Sequence, residues 1–164
     1  MQRKGLTPAQ RRAAVVLGAA LRHDGFAFAG GAALNAIGII DRPTDDLDSF
    51  SASCSNFSVA FDKAISALRD AGFDVQEDRR HPTFCRLVVR SRGLRKHSFT
   101  VDLGQDDVRW GSQLTSIGPA LTLKELAANK VLAAFGRHEP RDLADLARLT
   151  AVVPVEQMVA DATD

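Results

Sequence analysis

The stretch FAFAGGAALNAIGIIDRPTDDLDSF, residues 26–50, decides the fold, because it joins a glycine turn to closely spaced aspartates. Its first four residues predict a short strand that enters Gly30 and Gly31, and the apolar residues from Ala32 onward predict a helix directly after the turn. Glycines let the backbone approach an anion, and the first N–H groups of a helix point toward it. The turn therefore predicts a phosphate-binding site.

The acidic part of the stretch comprises Asp45, Asp46 and Asp48 and follows Arg42 and Thr44. This segment predicts a turn feeding a short strand, and since side chains alternate along a strand, Asp46 and Asp48 share one face. Two carboxylates on one face repel each other unless a cation lies between them. Mg²⁺ takes oxygen ligands from one or two carboxylates together with substrate phosphates. Asp46 and Asp48 are therefore predicted metal ligands.

Each half of this pattern has an ordinary explanation when taken alone. A Gly-Gly pair before a helix is usually a plain turn, and aspartates beside a proline usually lie in a solvated loop. The conjunction of the two, with Arg42 and Thr44 between them, favours a nucleotide and metal site over both explanations.

The composition of the chain predicts one globular domain. Its 164 residues are 45% hydrophobic and 25% charged, which is ordinary for a soluble protein with a real core. We divide this domain into a mixed α/β core over residues 1–118 and a helical part over residues 119–164. No apolar run approaches the roughly 20 residues that span a bilayer, so a cytoplasmic protein without a membrane partner is expected.

Positive charge is concentrated on one predicted strand, Thr83 to Ser91, and on the turn after it, although the net charge is only +1. Arg86 and Arg90 alternate there with apolar residues, and Arg95 and Lys96 lie in the turn. These four side chains are the expected contacts to the phosphates of a polyanionic substrate. Ordinary surface salt bridging is the alternative explanation.

Asp102 lies on the polar side of the next predicted strand, Ser98 to Leu103. It becomes a third metal ligand if this strand runs beside Asp46 and Asp48. A surface aspartate near a strand end is an equally weighted alternative.

The other patterns predict helices and their connections. Helices are expected at Pro8 to His23, Phe57 to Ala71, Thr122 to Phe135, Arg141 to Arg148 and Val155 to Ala162. Connections are expected at residues 79–82 and 105–118. In the helix from Arg141, the face with Asp142 and Asp145 is expected to be distinct from a buried face formed by Leu143, Leu146 and Leu149.

Several of these residues resemble the AbiEii/MenT group of nucleotidyltransferase toxins. The resemblance is carried by Gly30-Gly31-Ala-Ala-Leu, by Arg42-x-Thr-x-Asp-Leu-Asp48, by Lys130 and by Arg141-Asp142-Leu-x-Asp145-Leu, and it extends from about Phe26 to Leu149. It implies an α+β fold with a polymerase-β-like nucleotidyltransferase core, in which a mixed sheet is flanked by helices and followed by a C-terminal helical part.

The resemblance also implies an activity. It implies an NTP as co-substrate, Mg²⁺ as cofactor and a cognate antitoxin protein as partner. In MenT-like members the acceptor is the 3′ end of tRNA, and its modification blocks aminoacylation and translation. With such an acceptor, the four basic side chains Arg86, Arg90, Arg95 and Lys96 would contact tRNA phosphates. By position, Gly30 and Gly31 would hold the triphosphate, Asp46 and Asp48 the metal, and Lys130 and Asp142 would complete the catalytic nucleotide site.

One residue departs from the family pattern. Ala32 stands where members commonly have a Ser or Thr whose hydroxyl meets a phosphate, so triphosphate binding would rest on backbone amides, Lys130 and either Arg42 or Thr44. The departure supports a catalytically silent binding module as one alternative. An aminoglycoside-type enzyme is the other, which the basic strand disfavours because aminoglycosides are polycations.

Thr44 has a second expected role. Phosphorylation of its hydroxyl would place negative charge in the metal site and silence it, which is one way in which an antitoxin would act. A hydroxyl that only caps the turn is the favoured alternative.

Overall fold

A computed structural model describes residues 5–92 and 98–164 of the chain. Its strands form one sheet: β1 (Ala27–Ala29), β2 (Asp46–Ser51), β3 (Phe73–His81), β4 (Phe84–Ser91), β5 (Ser98–Gln105), β6 (Ser112–Thr115) and β7 (Gly118–Leu121). The order across the sheet is β3-β4-β5-β2-β1-β7-β6. The pairs β1–β7 and β2–β5 are parallel, and the other pairs are antiparallel. The expected mixed sheet is confirmed.

Six helices accompany the sheet in the described residues: α1 (Pro8–Ala20), α2 (Gly30–Ala36), α3 (Phe57–Asp70), α4 (Leu123–Arg137), α5 (Pro140–Leu149) and α6 (Val155–Thr163). Side-chain caps fix where three of them begin, because Thr7, Asn56 and Thr122 each accept a hydrogen bond from the backbone N–H three residues later. Within residues 5–92 and 98–164, every helix is too short or too polar to cross a membrane.

The two faces of the sheet have different roles. Phe28 and Leu47 point to one face, where they are 2% and 0% exposed and where a Cβ atom at Gly18 of α1 would lie 3.7 Å from the Phe28 ring. The neighbouring Asp48 points to the opposite face, because side chains alternate along β2. The hydrophobic core therefore lies on one side of β2, and the carboxylates of Asp46 and Asp48 lie on the other side of this strand.

Two predicted connections are wrong because they contain strands. β3 continues through residues 79–81. Within this part of the strand, Arg80 donates hydrogen bonds to Glu77 and Asp62. Residues 105–118 contain β6, in which Leu114 is 85% exposed. Both strands lie at edges of the sheet. They are held there by backbone hydrogen bonds to one neighbouring strand, and their side chains do not alternate between buried and exposed, so the sequence pattern does not predict them.

The helices also differ from expectation in detail. α1 ends at Ala20, and α4 continues past Gly136 to Arg137, after which His138 takes a left-handed conformation with φ of 57°. In α5 the predicted buried face is wrong at Leu143, which is 60% exposed. The acids of that helix are buried instead, for the electrostatic reason given below.

Candidate active site

Gly30 lies against the carboxylate of Asp48. β1 and β2 are antiparallel neighbours that pair Ala29 with Asp48, so the glycine turn emerges beside the acidic strand. A Cβ atom at residue 30 would lie only 2.6 Å from Oδ2 of Asp48, and the φ angle of Gly30 is 57°. Both the space and the backbone conformation therefore require glycine at this position.

Thr44 holds the second carboxylate. Its hydroxyl donates a 2.7 Å hydrogen bond to Oδ1 of Asp46, and the threonine is only 7% exposed. A Cβ atom at Gly31 would lie 3.0 Å from the Thr44 hydroxyl oxygen. On its other side, Asp46 has Nη1 of Arg141 at 3.9 Å from Oδ2. Thr44 thus contacts a predicted metal ligand and fixes its orientation.

Asp102 is the direct neighbour of Asp48 on the next strand. The parallel register of β2 and β5 pairs the two aspartates. Asp102 accepts two hydrogen bonds from Arg86, at 2.8 Å from Nε and 2.7 Å from Nη2. These bonds raise the pKa of the Arg86 guanidinium further above its ordinary range. The guanidinium expected to meet tRNA phosphates is therefore occupied by a carboxylate of the site.

Asp48 is the titratable group that this arrangement perturbs most clearly. Burial, followed by the charges of Asp46 and Asp102, raises its pKa to about 7. A carboxylate with two acidic neighbours gains most when a cation enters the site, because the cation offsets both burial and repulsion.

The donors fit a cation held by two carboxylates. In the parts of the chain that the structure describes, no three His, Cys, Asp or Glu side chains form a metal-binding group, and Asp102 is paired with Arg86. Asp46 and Asp48 are the candidate donors, and two carboxylates with substrate phosphates are a normal Mg²⁺ environment; whether Asp102 is a third ligand stays a prediction.

A buried ion network lies behind the carboxylates. Nζ of Lys130 is 2.8 Å from Oδ1 of Asp142 and 2.8 Å from Oδ2 of Asp145, and these three residues are 7%, 0% and 1% exposed. Arg42 adds two 2.7 Å hydrogen bonds to Asp145. Burial alone would raise the pKa of Asp145, but the hydrogen bonds from Arg42 and Lys130 hold it below its ordinary value. The acids of α5 are buried because they are paired.

A cleft of about 420 Å³ connects these features. Asp48 and Asp102 line it from the sheet, and Lys130 and Arg137 line it from α4. The remaining lining residues are Ala29, Gly30, Leu34, Phe50, Asp106, Leu126, Asn129, Leu132 and Ala133. Lys130 and Arg137 thus face Asp48 and Asp102 across a space in the volume range of small-molecule sites.

Sequence reasoning missed several members of this site. Arg137, which is 53% exposed and 3.2 Å from Asp142, is seven residues after Lys130, so helical periodicity would have placed both on one face. Asn129 and Phe50 also line the cleft. No local signal marks Asp145 as the partner of a residue 103 positions away.

The residues predicted to contact phosphates have different environments in the structure. Arg86 is paired with Asp102, whereas Arg90 is exposed on β4 opposite Ser98. Arg95 and Lys96 lie outside the described residues. Arg42, an expected nucleotide contact, is bound to Asp145.

Comparison with known families gives one match over most of the chain. The model of the family described as the nucleotidyl transferase AbiEii toxin of a type IV toxin–antitoxin system matches residues 14–162. No curated protein matches the sequence.

Solved structures of similar fold include a nucleotidyltransferase toxin. The nucleotidyltransferase toxin MenT4 from Mycobacterium tuberculosis is 20% identical, with a TM-score of 0.68 over 91% of this chain and 60% of its own. JHP933 from Helicobacter pylori is also 20% identical, with a TM-score of 0.66 over 87% of this chain and 64% of its own. The chain thus spans less than two thirds of the length of these proteins, and the similarity at this identity shows a shared fold.

Proposed function

Since the chain belongs to the AbiEii family of nucleotidyl transferase toxins, we propose that it is a Mg²⁺-dependent nucleotidyltransferase that acts on the 3′ acceptor end of tRNA. The observation that carries the proposal is the position of Asp48, which lies against Gly30 and lines a cleft with Lys130, while Asp46 shares its strand face two residues earlier. The product would be a tRNA that cannot be aminoacylated, so the protein would act in the cytoplasm as a translation toxin with a cognate antitoxin as partner.

In the proposed reaction, the 3′-hydroxyl of the tRNA gives its proton to water and attacks the α-phosphorus of an NTP. A new phosphodiester bond forms, the bond from the α-phosphorus to the bridging oxygen breaks, and pyrophosphate leaves. When bound by Asp46 and Asp48, Mg²⁺ would supply Lewis-acid stabilisation of the phosphate oxygens. Asp102 borders the same cleft and is held there by Arg86.

The positive side of the cleft would receive the leaving group. Lys130 and Arg137 line the cleft from α4, where their charges would offset the charge that develops on pyrophosphate. Asp142 contacts both cations, at 2.8 Å and 3.2 Å, and therefore positions them. The backbone amides that follow Gly30 and Gly31 would contact the triphosphate.

Incubation with Mg²⁺, each labelled NTP and either total RNA or an aminoglycoside tests the proposal. We expect label in tRNA, its loss in Asp48→Asn, and its retention in Asp74→Asn, which changes an aspartate that is 58% exposed on β3. Label only in the aminoglycoside would instead support a small-molecule enzyme. No label in any arm would support a silent binding module, the alternative that Ala32 favours.

A further inference from the structure

The sheet face that carries Asp46 and Asp48 extends beyond the cleft, over β5, β4 and β3. On β4, Cys85, Leu87 and Val89 are fully buried on the core side. Arg86 and Val88 are only partly buried, and they point to the opposite face. In the part of the chain that the structure describes, this opposite face of β4 carries side chains that solvent reaches.

Strand register arranges that face in rows. One row runs from Asp48 through Asp102 and Arg86 to Arg79. The adjacent row runs from Phe50 through Gly104 and Phe84 to His81. Because directly paired residues share a face, the second row runs beside the first, and its members Phe50 and Gly104 lie next to Asp48 and Asp102.

The second row contains two aromatic rings, Phe50 and Phe84, with Gly104 between them. A Cβ atom at Gly104 would lie 3.2 Å from the Phe84 ring and 3.5 Å from the Phe50 ring, so both rings converge on the glycine. Phe50 packs against the core and also lines the cleft. Phe84 is partly exposed and, among the described residues, does not belong to the set that packs against the core. We call Phe50, Gly104 and Phe84 the aromatic row.

We propose that the aromatic row binds the unpaired 3′ nucleotides of the acceptor RNA by base stacking. The inference rests on the proposed function and names the surface that the acceptor uses. Bases of single strands stack on aromatic side chains of exposed sheets, and every base offers a face for stacking. The cleft of about 420 Å³ is in the range of small-molecule sites, so an RNA acceptor needs a neighbouring surface as well.

The charges beside the aromatic row suit an RNA strand. Arg79 lies in the adjacent row and is exposed. Arg90 is also exposed, but it lies six residues from Phe84 on β4, roughly 20 Å away. Guanidinium groups beside a stacking surface contact the phosphates that connect stacked bases. Phe50 links the two sites, because it belongs to the aromatic row and lines the cleft that holds Asp48. A 3′ end stacked on the aromatic row would therefore have its terminal hydroxyl directed toward the carboxylates.

Two RNA hairpins provide the test, one with a four-nucleotide single-stranded 3′ overhang and one with the same stem and a blunt end. Binding of each to the full chain is measured by fluorescence anisotropy. We expect tighter binding of the overhang hairpin, and we expect Phe84→Ala to weaken that binding roughly 5- to 100-fold without changing the blunt hairpin. Phe84→Trp keeps a stacking surface and should retain most of the affinity.

Phe135→Ala is the matched control, because Phe135 is a phenylalanine on α4 that is 75% exposed and does not line the cleft. Its binding should equal that of the unchanged protein. Equal binding of both hairpins by the unchanged protein, or equal effects of Phe84→Ala and Phe135→Ala, would overturn the inference.

Transfer assays separate this inference from the proposed function. We expect Phe84→Ala to raise KM for the RNA acceptor while KM for the NTP stays unchanged. Transfer with an unchanged acceptor KM would retain the proposed function and reject the aromatic row. Binding of the overhang that depends on Phe84, without any nucleotide transfer by the unchanged protein, would retain the aromatic row and reject the proposed function.

Discussion

Arg42 donates two parallel hydrogen bonds of 2.7 Å to the carboxylate of Asp145, although the two residues are 103 positions apart. Asp145 is 1% exposed, and Lys130 contacts the same carboxylate. The pair ties the segment before β2 to α5. The carboxylate strand and the helix behind the cleft are thereby held in one arrangement.

Removing Arg42 should destabilise the fold, because it leaves a buried carboxylate with Lys130 alone. We expect Arg42→Gln to lower the free energy of unfolding by ~2–4 kcal/mol in urea titrations. Arg92→Gln is the control, since the Arg92–Asp74 pair is 67% and 58% exposed and should contribute less than ~1 kcal/mol. Similar losses in the two variants would show that the buried pair has no special role.

The same pair predicts acid sensitivity. The pKa of Asp145 is held below its ordinary value in the folded protein, so its contribution to stability is complete above the ordinary pKa of about 4. This contribution is lost as the pH falls through the lower, folded pKa. The stability difference between the unchanged protein and Arg42→Gln should therefore shrink in titrations below about pH 4 and stay constant near neutrality.

Asp48 should show the opposite dependence. Its pKa in the folded protein, about 7, lies above its ordinary value of 3.8, so the folded state loses stability as the pH rises between these values. Asp48→Asn removes the buried charge and should be more stable than the unchanged protein at pH 8, by roughly 1–3 kcal/mol. Thermal unfolding from pH 4 to 8 measures this difference, and identical pH profiles would contradict it.

Mg²⁺ extends the Asp48 prediction to the metal. A cation binds the ionised carboxylates, so added Mg²⁺ should raise the Tm of the unchanged protein more at pH 8 than at pH 6. Asp48→Asn should show little response at either pH. A pH-independent response to Mg²⁺ would argue against binding at Asp48.

Local patterns were sufficient to predict one half of the site. The turn at Gly30 and the alternation of Asp46 and Asp48 depend on neighbours in the sequence, and the structure brings Gly30 and Asp48 together through one strand pair. The position of Asp102 depends on strand order, which alternation along a single strand does not reveal. Sequence alone therefore left Asp102 undecided between metal ligand and surface residue.

Long-range pairing explains what the sequence did not reveal. Arg86 was expected to contact phosphate because its strand is basic, but its partner Asp102 becomes visible only in the register of β4 and β5. The acids of α5 were not expected to be buried, since their cationic partners come from α4 and from the segment before β2. The role of a charged side chain in this site can therefore be assigned only when its ion-pair partner is known.

The basic strand yields a prediction that separates its two arginines. Arg90 is exposed, so Arg90→Gln should lower the slope of log binding constant against log salt by about 1 for an RNA hairpin. Arg86→Gln should leave that slope nearly unchanged, because its guanidinium is bound to Asp102. Arg22→Gln changes an exposed arginine in the turn after α1 and is the control. A larger slope change for Arg86→Gln than for Arg90→Gln would show that Arg86 contacts phosphate.

Gly30 provides the most direct test of the contact between the turn and the carboxylates, because Gly38 is a natural control. Both glycines have a positive φ, 57° and 79°, and an alanine at either position should cost ~1–2 kcal/mol of backbone strain. A Cβ at Gly38 meets nothing within 4 Å, whereas a Cβ at Gly30 would lie 2.6 Å from Asp48.

Gly38→Ala should therefore lose stability but keep nucleotide transfer and the Tm response to Mg²⁺. Gly30→Ala should lose more stability and, because the carboxylate of Asp48 must move, should also lose the Mg²⁺ response and at least tenfold in kcat/KM. Equal behaviour of the two variants would show that the distance between the glycine turn and Asp48 does not matter for function. Both variants replace a glycine of positive φ by alanine, so the backbone strain is similar in the two. A difference in their activity or Mg²⁺ response therefore reports the contact with Asp48.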